Sequence, residues 1–451
     1  RPWLALSDDA VRALLPAPDA TLASGVAGDP QTNQSWPPAG RGEGMCSFDR
    51  PGTVRSPHTG DVYGDAPAGA PFHDPGDGWV RPADGRRFYF RGIWNFWVIG
   101  QIHAAVDALS LAYMLTGDER VAERGLLILD ELATLKARRG EDPGLIDGAS
   151  YGAANKHVLG YSGNGANSRM FDTALGVDLL AGSAAARRPA RGAPGLSILE
   201  NLRENYFSIY ERSYKESRHT LYNHTTVLFA NQIAQAVLFG RPDDLAEGIE
   251  VITVWLEQCL TRDGQYYENA GGYERVGVDY AATMMLPLEN YRPQNYDNPS
   301  DYPDPSTYPF GLRFGNDPRW YSAAFLMKYR MMASGRMIAF GDMWEDRLVI
   351  PGQTREWDPR LWCSFARLLY RQTDNPAWKK EIARRYWSLP EAVRNEAVLS
   401  TIAGLGMSQW LEPARPAVAP PETASLLQTD SDLIPGKMIA LLRGGRGSDH
   451  R

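Results

Sequence analysis

Leu111-Ala112-Tyr113-Met114-Leu115-Thr116-Gly117-Asp118 is the stretch from which the fold is read. Upstream of it Ile99, Ile102, Val106, Leu109 and Tyr113 recur every three or four residues, a single apolar stripe on one helix face. Gly117 suits the position just past a helix end, where left-handed backbone is needed, and Asp118 suits the cap of a second helix running to about Leu135. Two helices joined by so tight a turn make an antiparallel hairpin. Further along, Gly240-Arg241-Pro242-Asp243-Asp244 repeats the grammar between helices expected over 225–240 and 245–260. Helical patterns also cover 171–185, 196–215, 319–334, 358–372, 376–386 and 391–403, and no convincing alternating strand precedes residue 430. The expected class is all-α, a stack of helical hairpins.

Around this body lie segments of other character. Residues 1–90 open with a short helix (Ser7 to Leu15) and continue rich in Gly, Pro and Asp. Too long for a simple loop, they are expected to form an irregular arm packed on the helical domain at 91–411. Residues 412–436 contain a proline-rich linker, and Lys437 to Arg443 reads as the first strand of a truncated β domain at 437–451.

The formal charge of −7 argues against a nucleic-acid partner. The 13 Trp and 21 Tyr provide rings of the kind that build sugar platforms as well as cores. Cys46, Cys259 and Cys363 are scattered and odd in number, so neither a disulfide framework nor a zinc cluster is signalled. No uninterrupted apolar run reaches about 18 residues, so no membrane span is expected. The start at Arg1-Pro2 fits a removed signal peptide and an artificially trimmed start equally.

Three polar clusters punctuate the apolar pattern: Tyr222-Asn223-His224 at the mouth of a helix, Asp263 to Tyr273 with Arg275 and Tyr280, and Phe340-Gly341-Asp342-Met343-Trp344. The expectation is that they wall one cleft. In order and rough spacing, these clusters and the Leu-Thr-Gly-Asp hairpin resemble the heparinase II/III-like polysaccharide lyases and the neighbouring alginate and hyaluronan lyases. The resemblance covers about 110–350. It implies an incomplete (α/α) toroid followed by a β-sandwich, and cleavage of an anionic, uronic-acid-containing polysaccharide by β-elimination. It also implies a periplasmic or secreted bacterial protein. No cofactor is implied for this part of the chain; in many relatives a histidine and a metal site come from the sandwich.

Elimination needs the uronate carboxylate neutralised, a base at C5 and an acid for O4. Asn223 offers amide donors, and His224 a donor or a base. Tyr273, behind two glycines, is the favoured phenol for acid or base, and Tyr280 is its rival. Arg275 is a cation able to lower a phenol's pKa or clamp a carboxylate. Substrate-binding candidates are Asn167 and Arg169 at a loop-to-helix junction, Trp94, Asn95 and Trp97 as a stacking platform, and Glu268, Asp342 and Trp344. His157 and His219 are lesser candidates, and His103, inside the first long helix, reads as packed. Two other readings stand beside the lyase. A glycoside hydrolase would use Glu268 and Asp342 as its carboxylate pair, and a non-catalytic protein would only bind carbohydrate.

Overall fold

The structure, a computed structural model, describes residues 3–23, 29–34, 44–65, 67–68, 70–139, 154–155, 164–208, 221, 225–260, 267, 288, 314–321, 332–333, 336–337, 359–388, 432–434 and 439–441. It is mostly helical with a few short strands. Contacts divide the chain into two compact units, Arg1–Lys215 and Glu216–Arg451.

In the first unit, helix α1 (Asp8–Arg12) starts at Ser7, whose hydroxyl accepts the Ala10 amide at 3.1 Å. Beyond it the arm forms two-residue ladders. Strand β1 (Leu22–Ala23) pairs with a strand further along the chain, β2 (Val54–Arg55) with β3 (Val62–Tyr63), and β4 (Trp79–Val80) with β5 (Arg87–Phe88). Ladders this short show no readable alternation, which is why the arm reads as irregular. Its order comes from rings. Tyr63 stacks on Phe90 at 5.1 Å and Phe88 on Phe90 at 6.1 Å, with Trp79 and Phe72 packed beside them. Each ring so buried contributes roughly 1.5–3 kcal/mol.

Phe90 is also the first residue of α2 (Phe90–Thr116), so the arm's core and the longest helix share a side chain. The residue before α2, Tyr89, makes no side-chain cap. Asp74 does this instead: one carboxylate oxygen accepts the Arg91 amide at 2.9 Å, the other the amides of Gly76 and Gly78. By length and composition α2 could cross a membrane, its most apolar window having a mean hydropathy of 1.4. The expectation of no such span counted uninterrupted runs, and Gln101, His103 and Asp107 interrupt this one without making it polar. The helix nevertheless behaves as core, burying Ile93, Phe96, Ile99, Ile102, Val106 and Leu109 against neighbouring elements.

The hairpin expectation is met here. Gly117 ends α2 at φ 66°, with its amide on the Tyr113 carbonyl at 2.8 Å, and α3 (Glu119–Arg139) follows at once. Strand β6 (Ala154–Asn155) is the partner of β1. Helix α4 (Asn164–Ala181) packs on α2 and starts seven residues earlier than expected. A 3-10 turn (Ala184–Arg187) leads to α5 (Ile198–Asn201), closed by a Ser197–Glu200 capping box and continued as a π-helical turn, Leu202–Phe207.

In the second unit, α6 (Thr225–Phe239) and α7 (Pro242–Cys259) fold back on each other across Gly240 at φ 63°. Gly248 permits their close approach. A β-carbon there would lie 2.7 Å from Ile233 Cγ1. A single turn, α8 (Pro318–Trp320), opens the expected 319–334 helix. Within that range Met332–Ala333 (β7) instead pairs antiparallel with Arg336–Met337 (β8), and the sequence between them, Ser334-Gly335, is a turn signal that helical periodicity overlooks. Helices α9 (Pro359–Gln372) and α10 (Pro376–Ser388) form another hairpin, with Asn375 capping α10 through the Ala377 amide. Finally β9 (Asp432–Ile434), at the end of the expected linker, pairs antiparallel with β10 (Ile439–Leu441).

Candidate functional site

Asn223, His224, Glu268, Tyr273, Arg275, Tyr280, Asp342 and Trp344 lie outside the described residues, as do His157 and His219. What the structure describes is the framework from which the first two polar clusters emerge. Helix α6 begins at Thr225, directly after Asn223-His224. Tyr267, one residue before Glu268, donates its phenol to the carbonyl of Leu221 at 3.0 Å, and its amide bonds the Cys259 carbonyl at the end of α7. The Tyr267–Leu221 bond thus spans 46 residues of sequence.

Helix α6 is an unusual core helix. Leu228, Phe229, Ile233 and Ala236 are buried as the apolar run predicts, but so are Thr225, Thr226, Asn231, Gln232 and Gln235. Gln232 donates to the Asp244 carbonyl at 2.9 Å and to Glu247 Oε2 at 3.0 Å, while its own buried carbonyl oxygen has no donor among the described residues. An unpaired buried acceptor costs about 1–3 kcal/mol. Sequence reading passed over these residues because their neighbours keep the helix apolar on average.

The first-unit candidates divide. Asn167 and Arg169 belong to the backbone of α4, and because that helix starts at Asn164, Arg169 sits in its second turn and not at the expected junction. Trp94, Asn95 and Trp97 fasten the arm to α2. Trp94 donates to the Ser47 carbonyl at 3.4 Å, Asn95 to that of Thr21 at 3.0 Å, and Trp97 lies 4.8 Å from the Phe48 ring.

A polar network that sequence reading missed lies within the same unit. His103 on α2 has Nδ1 2.8 Å from the Ile99 carbonyl and Nε2 2.9 Å from the Tyr206 hydroxyl. Only a protonated Nδ1 can donate to a carbonyl, so in the neutral ring Nε2 accepts the phenol's proton. The same hydroxyl is 3.3 Å from Thr173 Oγ1 on α4, and Lys136 Nζ of α3 stands 4.1 Å from the centre of the Tyr206 ring. All four side chains are buried. Tyr206 comes from the π-helical turn, a geometry frequent at functional sites. His103 is thus packed, as expected. Its partners escaped notice because a lone Lys, Thr or Tyr in an apolar stripe carries no spacing signal.

Cys46 and Cys259 are buried, and burial pushes the Cys46 thiol up to about 12, so no nucleophilic thiolate arises at Cys46. Among the described residues, no three His, Cys, Asp or Glu side chains gather as a metal site. No protein-family model matches the chain, and no curated protein matches it significantly.

Proposed function

We propose that this protein is a polysaccharide lyase that cleaves an anionic, uronic-acid-containing polysaccharide by β-elimination, on an incomplete α/α toroid followed by a β-sandwich. The observation that supports the reading is the Tyr267–Leu221 hydrogen bond, between residues that stand one position before Glu268 and two before Asn223 in the sequence. The helical hairpin around Gly117 supports the architectural half of the resemblance.

In this reading Asn223 and His224 hydrogen-bond the uronate carboxylate, so that charge developing on loss of the C5 proton spreads onto held oxygens. Each such donor contributes about 2–4 kcal/mol to lowering the barrier. Tyr273, or Tyr280 in its place, takes the C5 proton or supplies one to O4, and Arg275 favours the ionised phenol. The C5–H and C4–O4 bonds break and a C4=C5 double bond forms. The C5 proton ends on the base, and the departing O4 takes a proton from the acid. Glu268, Asp342 and Trp344 hold the sugar. The substrate's location calls for a secreted or periplasmic protein.

A panel of uronate polysaccharides, followed by the near-ultraviolet absorbance of the conjugated product, tests the proposal. Absorbing product from at least one member, lost in Asn223→Ala, is expected. New reducing ends without absorbance would mean hydrolysis through Glu268 and Asp342. Binding without any product would reduce the protein to a carbohydrate binder.

A further inference from the structure

A groove of about 440 Å³ opens in the first unit between the start of the chain, α1, α3 and the turn before α5. Five arginines line it, Arg12, Arg120, Arg124, Arg188 and Arg191, against three carboxylates. The carboxylates are committed. Asp130, 2% exposed, accepts the Asn201 amide at 2.7 Å and the Arg191 backbone N–H at 2.9 Å. Asp8 holds Arg124 at 3.1 Å, and Glu123 holds Arg188 at 2.5 Å.

Three guanidiniums keep capacity. Arg12 is held by Glu131 and Asp9 through Nε and Nη1, yet its buried Nη2 has no acceptor among the described residues. Arg120, 85% exposed, is paired among the described residues only with Asp118 two residues away, a contact that water screens. Arg191 is exposed and its guanidinium makes no ion pair among the described residues, although Asp130 fixes its backbone. Beneath them Leu4, Leu127 and Pro189 present apolar surface, Leu4 being 54% exposed. The volume falls within the range of about 300–1,000 Å³ usual for small-molecule sites, larger than a bare anion needs.

We propose that this groove is a binding site for an acidic oligosaccharide. Its carboxylates meet Arg120 and Arg191, and a sugar face lies over Leu4 and Pro189. The choice of an acidic sugar over other organic anions rests on the lyase reading; the existence of an anion site does not.

The test uses the full chain with an oligoglucuronate hexamer and, as neutral control, a maltohexaose. Backbone hydrogen exchange is followed over 119–131 and 184–198, with elimination product measured in the same samples. The acidic hexamer is expected to protect both segments and the neutral one neither. In Arg120→Gln/Arg191→Gln binding should weaken about tenfold or more, since charge-assisted hydrogen bonds are lost. Both residues are exposed, so an unchanged melting temperature certifies the variant's fold. No protection, equal protection by the neutral sugar, or undiminished binding by the folded variant overturns the proposal. Elimination without protection here would leave the lyase reading standing and this site refuted. Protection without elimination from any uronate would do the reverse.

Discussion

The α2–α3 and α6–α7 hairpins share a plan, and their first helices differ in what they bury. Each first helix ends on a left-handed glycine, Gly117 at φ 66° and Gly240 at φ 63°, and the second helix begins within two residues. Inside, α2 buries two polar side chains over 27 residues, and both have partners: His103 with Ile99 and Tyr206, Ser110 with the Val106 carbonyl at 2.8 Å. Among the described residues, α6 buries five over 15 positions, and one oxygen of Gln232 has no donor. Buried polar groups are costly and persist where something polar must be held or positioned. Helix α2 therefore serves as framework, whereas α6 carries its polar load directly after Asn223-His224 in the sequence.

If α2 is framework, damage to its start should fall on stability alone, and this is the largest effect expected. Asp74→Ala strips the acceptor from three amides, those of Gly76, Gly78 and Arg91, at a combined cost of about 3 kcal/mol in denaturant unfolding. A loss below about 1 kcal/mol would mean that α2 is anchored by its ring contacts alone. Next comes the tightness of the second hairpin. In Gly248→Ala the new methyl meets Ile233 Cγ1 at 2.7 Å and costs about 2 kcal/mol, whereas in Gly176→Ala, on the α4 face against α2, the nearest atom is Ser110 Oγ at 3.2 Å and the cost stays under about 1 kcal/mol. The reverse order would break the contrast between the two interiors.

Tyr206→Phe sharpens the point about polar load. It leaves His103 Nε2 without its donor and should destabilise by about 1–2 kcal/mol. Steady-state assays should show elimination unchanged in kcat at temperatures where the variant is folded. A collapse of kcat with intact fold would move the network from framework to function. Gly117→Ala and Gly240→Ala test the shared plan, each costing about 1 kcal/mol for left-handed backbone. Unequal losses would show that one turn is strained by its surroundings.

The hairpin turns were legible because their determinants are local: an apolar stripe, a glycine past the helix end and a capping acid within eight consecutive residues. Helices α9 and α10 were legible for the same reason, with Asn375-Pro376 marking a start. What was not legible is long-range. Asp74 caps a helix that begins 16 residues later, and nothing near Tyr89 announces it. The β1–β6 ladder joins Leu22 to Asn155 with two residues a side, too few for period-two alternation. Of the site, the sequence marks polar clusters by composition, but the bond from Tyr267 to Leu221 follows from folding. Likewise Lys136 above Tyr206 requires three elements to converge before either residue looks unusual.

The smallest expected effect concerns the arm and separates it from both hairpins through pH. Burial alone pushes the Asp29 carboxyl up, but hydrogen bonds from the Ser56 hydroxyl and from the Thr32 and Gln31 amides outweigh burial and hold it below its ordinary value. A carboxyl lowered in the folded state adds stability above its unfolded pKa, about 3.9, and that stability is lost as pH falls through the lower folded value. Hydrogen exchange over 29–34 and 54–63 should therefore quicken only in acid, with α2 and α6 still protected. Ser56→Ala removes one of the lowering bonds, so the folded pKa climbs toward the ordinary value and the quickening begins at a higher pH. Were wild type and Ser56→Ala to open at one and the same pH, the loop would be held by its backbone bonds, and the arm would be as insensitive to acid as the α2–α3 hairpin it packs on.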